Sequence, residues 1–270
     1  MYDAKEKVVL ITGGAAGIGA GVVKAFLEEG AKHVAILDVD PKGKTFEEEL
    51  NAKYGANTVK FYKCDVTSND LHEAYDDVIK SNGYIDIVVN CAGILNDGPN
   101  GYEKQIAVNL TALITSSLKA YNLMRKDHGG KGGTIINISS IVGLVQSKIF
   151  PIYGATKSAV LQFSNGLGMN LHYDRSAVRV LTMCFGCTDT TLFDHSKMKA
   201  IDKETDEALA LGLKSLPWQA PESAVKGLMD AFKKGESGST WLASANKPAY
   251  DISANISKAY EIMSQGVYDK

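Results

Sequence analysis

The stretch "KVVLITGGAAGIGAG", residues 7–21, carries an apolar, β-branched run into a turn with Gly13, Gly17 and Gly19, and residues of helical period follow at 18–29. Such a turn visits backbone conformations that a Cβ forbids, and it leaves N–H groups at a helix start open to the close approach of a phosphate. A glycine loop alone is a weak signal. Here the next apolar run, "HVAILD" at 33–38, ends in Asp38, 19 residues after Gly19, where a carboxylate would accept the hydroxyls of an adenosine ribose. The spacing predicts a dinucleotide site, against the plainer alternative of a tight turn followed by a solvated aspartate. The carboxylate would repel a ribose 2′-phosphate, and neither Ala16 nor Val39 supplies a cation, so NAD is favoured over NADP. Lys42 is near enough in sequence to make that preference worth testing.

The same alternation recurs along the chain. Apolar runs "TVKFYKC" at 58–64, "IDIVVN" at 85–90, "GTIINIS" at 133–139, "VRVLTMC" at 178–184 and "STWLA" at 239–243 are separated by helical period at 42–54, 68–81, 102–126 and 153–173. Near-continuous apolar strands imply a parallel sheet buried on both faces, and right-handed crossovers then make a doubly wound α/β layer structure. The expectation is a Rossmann-type doubly wound α/β fold, a seven-stranded parallel sheet with helices on both faces, in a single domain over 1–270. The rhythm breaks at 188–217, after the sixth strand and at the carboxyl edge where such sheets hold ligands, which predicts a substrate lid there and a tail at 247–270.

Bulk properties exclude other classes. Twenty-nine basic and 31 acidic side chains give a net charge of -2 with both signs interspersed, so no electrostatic footprint for nucleic acid exists. No apolar run approaches the roughly 18 residues of a membrane span, and the start alternates charge before the first strand, so a soluble, cytoplasmic protein is expected. Of Cys64, Cys91, Cys184 and Cys187, three lie in or at the ends of expected buried strands, where a free Cys behaves as a small hydrophobe, and a reducing compartment is expected. "CFGC" at 184–187 lacks a second Cys/His pair at ligand spacing, and no metal is expected.

"TGGAAGIG" (Thr12 to Gly19), "NCAG" (Asn90 to Gly93), Asn109, Ser140 and then "PIYGATK" with Tyr153 and Lys157 stand in an order that resembles the short-chain dehydrogenase/reductase family over essentially the whole chain. Tyr153 and Lys157 form the only Tyr-x-x-x-Lys in the sequence, and a single such pair is within chance; its distance from Ser140 gives it weight. "CAGILND", "IAVNLTALI", "GGKGGTIINISS" and "GSTW" further resemble the insect-type alcohol dehydrogenase branch and the NAD-dependent 15-hydroxyprostaglandin dehydrogenases. The resemblance implies a catalytic tetrad of Asn109, Ser140, Tyr153 and Lys157. It implies cofactor contacts from Thr12, Gly13, Gly17, Ile18, Gly19, Asp38, Asp65, Val66, Asn90, Ala92, Gly93, Gly186, Thr188 and Thr190, with Tyr153 and Lys157. It also implies a homodimer or homotetramer built on the long fourth and fifth helices.

Two positions depart from the family pattern. Phe185 replaces the proline before Gly186, which frees the backbone and adds bulk beside the nicotinamide. Cys91 replaces the second Asn of Asn-Asn-Ala-Gly and is expected to pack behind the adenine side without catalytic consequence.

In the implied reaction Tyr153 removes the hydroxyl proton of an alcohol. One ammonium about 4 Å away, at an effective dielectric near 20, contributes roughly 4 kcal/mol, about three pKa units, so Lys157 is expected to bring the phenol into range. Ser140 would hold the substrate oxygen, and Asn109 would support Lys157 through water. Taken singly, Ser140 also reads as a turn serine, Asn109 as a polar residue in a helix bend, Asp65 as an adenine contact or a turn cap, and His195 as a pocket residue or an exposed loop histidine. Leu192, Phe193, Met198, Ile201, Leu209, Leu211, Leu213 and Leu216 make the lid amphipathic. An apolar secondary alcohol (a lipid, isoprenoid, steroid or simple alcohol) is the expected substrate, unless these residues only cover the sheet. An NADPH-dependent carbonyl reductase and a non-catalytic dinucleotide-binding regulator are the rival functions; Asp38 opposes the first and the filled tetrad the second.

Overall fold

The computed structural model describes residues 1–267 apart from His195 and Lys197, and only the backbone at Ala210, Leu211 and Lys214. Eight strands alternate with helices: β1 (Val8–Thr12), β2 (His33–Asp38), β3 (Val59–Lys63), β4 (Ile87–Asn90), β5 (Gly133–Ser140), β6 (Val178–Phe185), β7 (Thr240–Ala243) and β8 (Tyr250–Asp251). The helices are α1 (Gly17–Glu28), α2 (Lys42–Tyr54), α3 (Asp70–Asn82), α4 (Tyr102–Ile106), α5 (Leu113–Met124), α6 (Pro151–Leu167), α7 (Asn170–Ser176), α8 (Lys203–Gly212), α9 (Pro221–Lys234) and α10 (Ser253–Met263).

Strand periodicity decides which residue faces which core. Val9 and Ile11 of β1, with Val34 and Ile36 of β2, enter a core covered by Phe26 of α1 and Phe232 of α9. Val8 and Leu10, with Ala35 and Leu37, enter the opposite core under Tyr75 of α3 and Met124 of α5. Each buried aliphatic side chain contributes about 1.5–3 kcal/mol of transfer free energy, so both faces must stay covered. The sheet order is β3-β2-β1-β4-β5-β6-β7-β8, parallel except for β8. Strand order reverses between β1 and β4, and a crevice opens there at the carboxyl ends.

The structure adds to the sequence reading in three places. The seven parallel strands gain an eighth, antiparallel one, whose two residues pair Trp241 with Asp251 and Leu242 with Tyr250, too short to show a period. The helix expected at 102–126 contains a π segment, Ala107–Ala112, between α4 and α5. The helix expected at 153–173 breaks at Gly168, where a Cβ would come within 2.5 Å of the Gly238 backbone. Among the described residues no helix is long and apolar enough to cross a membrane.

The segment 188–217 folds over the crevice through two short helical turns, Thr191–Phe193 and Leu213–Ser215, and α8. Met198, Leu209 and Leu213 join Leu95, Phe150 and Tyr153 in a third apolar cluster, with Leu192 and Phe193 against it. Ile201 and Leu216 stay exposed, unlike the rest of the amphipathic set, and the side chain of Leu211 lies outside the described residues.

Candidate active site

The crevice is a cleft of about 970 Å³ lined by the glycine loop, the ends of β2 to β6, Tyr153, Lys157 and the lid. Its floor is backbone. Gly13 has φ +67°, and a Cβ there would stand 2.7 Å from the Cα of Ala92; at Gly19 a Cβ would fall on the carbonyl oxygen of Gly13. Only glycine lets β1, the helix start and the loop after β4 approach this closely. At the end of β2 the Asp38 carboxylate accepts the Ala15 N–H at 2.9 Å and the Asp40 N–H at 3.0 Å, which fixes it at one end of the cleft.

At the other end Tyr153 and Lys157 sit one turn apart on α6, 7% and 4% exposed. Ser140, the last residue of β5, accepts the Val142 N–H at 3.3 Å and donates to the Phe185 carbonyl at 3.4 Å, and its hydroxyl is near enough to the Tyr153 phenol to lower its pKa. The Lys157 Nζ donates to the Ile138 carbonyl at 2.9 Å and lies 5.6 Å from the centre of the Tyr153 ring. Asn109 occupies the π segment, a local widening that often marks functional positions. Its Nδ2 donates to the Ile94 carbonyl at 2.8 Å and its Oδ1 accepts the Ile94 N–H at 2.9 Å, so it clamps the loop after β4; no direct bond joins it to Lys157.

Burial governs the electrostatics. It raises the Tyr153 phenol above its ordinary value, the Ser140 hydroxyl pulls it back, and Cys187, Cys91 and Asp97 push it up. Burial also depresses the Lys157 ammonium to about 8. Burial of the phenol therefore opposes the lowering that its spacing from Lys157 suggests.

The residue constellation now has a known counterpart. A profile of the short chain dehydrogenase family matches residues 7–200. The chain belongs to the short-chain dehydrogenase family. Alcohol dehydrogenase 1 of Ceratitis cosyra is 37% identical over 203 residues, covering 71% of this chain and 77% of that protein. The NAD(+)-linked 15-hydroxyprostaglandin dehydrogenase of Rattus norvegicus is 30% identical over 269 residues, 94% of this chain and 98% of the relative. Among solved structures, a short-chain type dehydrogenase/reductase from Mycobacterium marinum superposes with a TM-score of 0.75 at 25% identity, covering 90% of this chain and 96% of that one.

Within this short-chain dehydrogenase the expected site residues divide into those that face the cleft and those that stand behind it. Gly13, Gly17, Ile18, Gly19, Asp38, Val66, Ala92, Gly93, Gly186 and Thr190 line it. Thr12 does not; its hydroxyl accepts the N–H groups of Cys91 and Ala92 at 3.1 and 3.2 Å and ties β1 to the loop after β4. Asn90 is buried behind the cleft, donating to Asn137 Oδ1 at 2.8 Å and Ser117 Oγ at 3.0 Å. Asp65 borders the cleft, yet its carboxylate is spent on Lys104 at 2.7 Å and on the N–H and hydroxyl of Thr67, which hold it down at about 2 and favour the turn-cap role. His195 lies outside the described residues.

The two departures also resolve. Cys91 is beside Lys157 at the catalytic end, where burial pushes its thiol up to about 11, and not behind the adenine side. Phe185 ends β6 in register with Ser140, and the loop that follows is pinned by Gln219, which the sequence reading missed. Gln219 donates its backbone N–H to the Cys187 carbonyl at 2.8 Å, accepts the Asp189 N–H at 3.0 Å, and donates Nε2 to Thr188 Oγ1 at 2.9 Å. The Thr188 hydroxyl is thereby turned inward, donating to the Gly186 carbonyl at 2.9 Å. No local pattern flags Gln219, because its partners lie some 30 residues away.

Proposed function

We propose that the protein is an NAD-dependent alcohol dehydrogenase that oxidises an apolar secondary alcohol to a ketone. The observation that carries the reading is the half-buried Ser140 with the buried Tyr153 and Lys157 at one end of a cleft whose other end is Asp38 above a glycine floor. The residues fit a dinucleotide: the glycine loop is a cradle that any Cβ would fill, and Asp38 is anchored by backbone donors with Asp40, not a cation, beside it. Asp38 would take the adenosine ribose, the N–H groups of the 13–19 loop the pyrophosphate, Ala92 and Gly93 the middle of the cofactor, and the backbone at Gly186, Thr188 and Thr190 the nicotinamide. Bound NAD supplies a hydride acceptor and, in its oxidised form, a positive ring charge.

The chain's own groups handle the proton. Tyr153 takes it from the substrate hydroxyl, Ser140 donates a hydrogen bond to the same oxygen as negative charge develops, and Lys157 steadies the phenolate. Asn109 keeps the loop after β4 in place. The lid and Phe150 exclude water and offer an apolar wall, which supports a substrate with substantial hydrocarbon next to its carbinol. A cytoplasmic homodimer or homotetramer remains the proposed form. The test follows reduced-nicotinamide absorbance with NAD or NADP and a panel of apolar secondary alcohols. Turnover is expected with NAD, at least about tenfold better than with NADP, since a like-charge contact at Asp38 opposes the 2′-phosphate. A preference for NADP would overturn the cofactor assignment, and binding of NAD without turnover of any alcohol would favour the regulator.

A further inference from the structure

The loop after β4 holds a carboxylate that none of the steps above uses. Asp97 is 2% exposed and accepts three hydrogen bonds: its Oδ1 from Gln105 Nε2 at 2.7 Å and from the Tyr153 N–H at 2.9 Å, its Oδ2 from the Ile152 N–H at 2.7 Å. The two amides belong to the first turn of α6, where no intrahelical acceptor exists. No local side chain caps this helix, because Phe150 occupies the capping position and turns into the third apolar cluster. The cap is instead delivered from 55 residues away in sequence. The positive end of α6 and three donors offset the cost of burying the charge.

Asp97 is also held on its other side. Its own N–H donates to the Lys199 carbonyl of the lid at 2.8 Å, and Asn96 forms a bridge with Lys199. Gln105, fully buried, accepts the Asn96 N–H at 2.6 Å through Oε1 while its Nε2 holds Asp97. One residue thus touches the backbone of the tyrosine and the backbone of the lid.

We propose that Asp97 is a positioning residue that couples the substrate lid to Tyr153: the carboxylate sets the first turn of α6, the N–H holds the lid at Lys199, and a shift in either is transmitted to the other. The inference rests on Tyr153 being the catalytic base. The titratable and charged groups around that phenol are Asp97, Cys91, Cys187 and Lys157. Of these Asp97 carries a negative charge that opposes the phenolate, so neutralising it makes the phenol more acidic.

The test compares Asp97→Asn and Asp97→Ala with the wild type in kcat, alcohol KM and pH profile, NAD Kd by calorimetry, and hydrogen exchange. Asp97→Asn keeps the shape and replaces one acceptor by a donor. A displacement of the tyrosine on the ångström scale is expected to lower kcat about tenfold in Asp97→Asn and up to about a hundredfold in Asp97→Ala. NAD Kd stays within about twofold, the acidic limb of kcat, on which Tyr153 must lose its proton, moves to lower pH, and exchange rises at both 151–156 and 198–206. Exchange that rises only at 94–105, with kcat and the limb at wild-type values, overturns the coupling. Should Asp97→Ala not fold, Gln105→Met removes one donor and leaves both α6 amides bonded; wild-type exchange at 151–156 and 198–206 in it and in Asp97→Asn overturns the proposal equally. The exchange readout needs no turnover. Loss of the underlying reading is seen separately, as undiminished turnover in Tyr153→Phe.

Discussion

The two walls of the cleft are made differently. The wall from β1, α1 and β2 is backbone: positive φ at Gly13 and Gly17, and one carboxylate fixed by two amides. The lid wall at 188–217 is side chain: Phe193 stacked edge-on against Trp218 with centroids 4.9 Å apart, and Met198, Leu209 and Leu213 packed on Phe150. A backbone wall tolerates almost no substitution, because each atom's place is set by sterics. An apolar wall requires only volume, and many sequences supply it. The first suits a ligand of one fixed shape, and the second a ligand recognised by apolar volume.

The sharpest way to break this contrast is Gly19→Val, which would drive a side chain into the Gly13 carbonyl. NAD affinity by calorimetry is expected to fall at least about a thousandfold, roughly 4 kcal/mol. A variant that binds NAD normally would show that the floor is not rigid.

Lys157, where the walls meet, gives the next largest effect. Its folded value near 8 lies below the ordinary 10.5, so the unfolded chain binds more protons between those values and wild-type stability rises with pH across that window. Relative to Lys157→Met, which carries no charge to bury, the wild type is expected to gain up to about 3 kcal/mol between pH 8 and 10.5 in denaturant titrations. Taking the difference removes the thiols and tyrosines that titrate in the same range. A constant difference would mean that Lys157 stays charged.

Asp38→Ala sharpens the account of the first wall. Its NAD over NADP preference in kcat/KM should fall about tenfold or more, while the alcohol KM is unchanged. Phe193→Ala is the mirror experiment on the lid: the alcohol KM is expected to rise about tenfold and NAD Kd to stay within about twofold. If each variant disturbed both ligands equally, the division of the cleft into two walls would fail.

The same division explains what the sequence discloses. β1, the glycine turn, Asp38 and the tetrad are readable because strand period, glycine and four-residue helical spacing are local constraints with few solutions. The π segment around Asn109 is not, since its extra residue leaves the helical pattern of 102–126 intact. Thr12 and Asn90 look like contacts in sequence and prove to be braces, because whether a side chain turns to the cleft or away depends on neighbours from other strands. Asp97 and Gln219 are illegible for the same reason, with partners 55 and 31 residues distant. The electrostatics of Tyr153 are only half legible, because spacing reports the lysine but not the depth of burial, which raises the phenol.

The central claim is that Tyr153 removes the proton while the rest of the cleft holds the cofactor. Its most direct test is Tyr153→Phe in a single-turnover experiment with NAD and the best alcohol of the panel, alongside calorimetric NAD binding. The account predicts reduced-nicotinamide formation slowed by about a hundredfold to ten-thousandfold with NAD Kd within about twofold of wild type. Hydride transfer at the wild-type rate in this variant would contradict it.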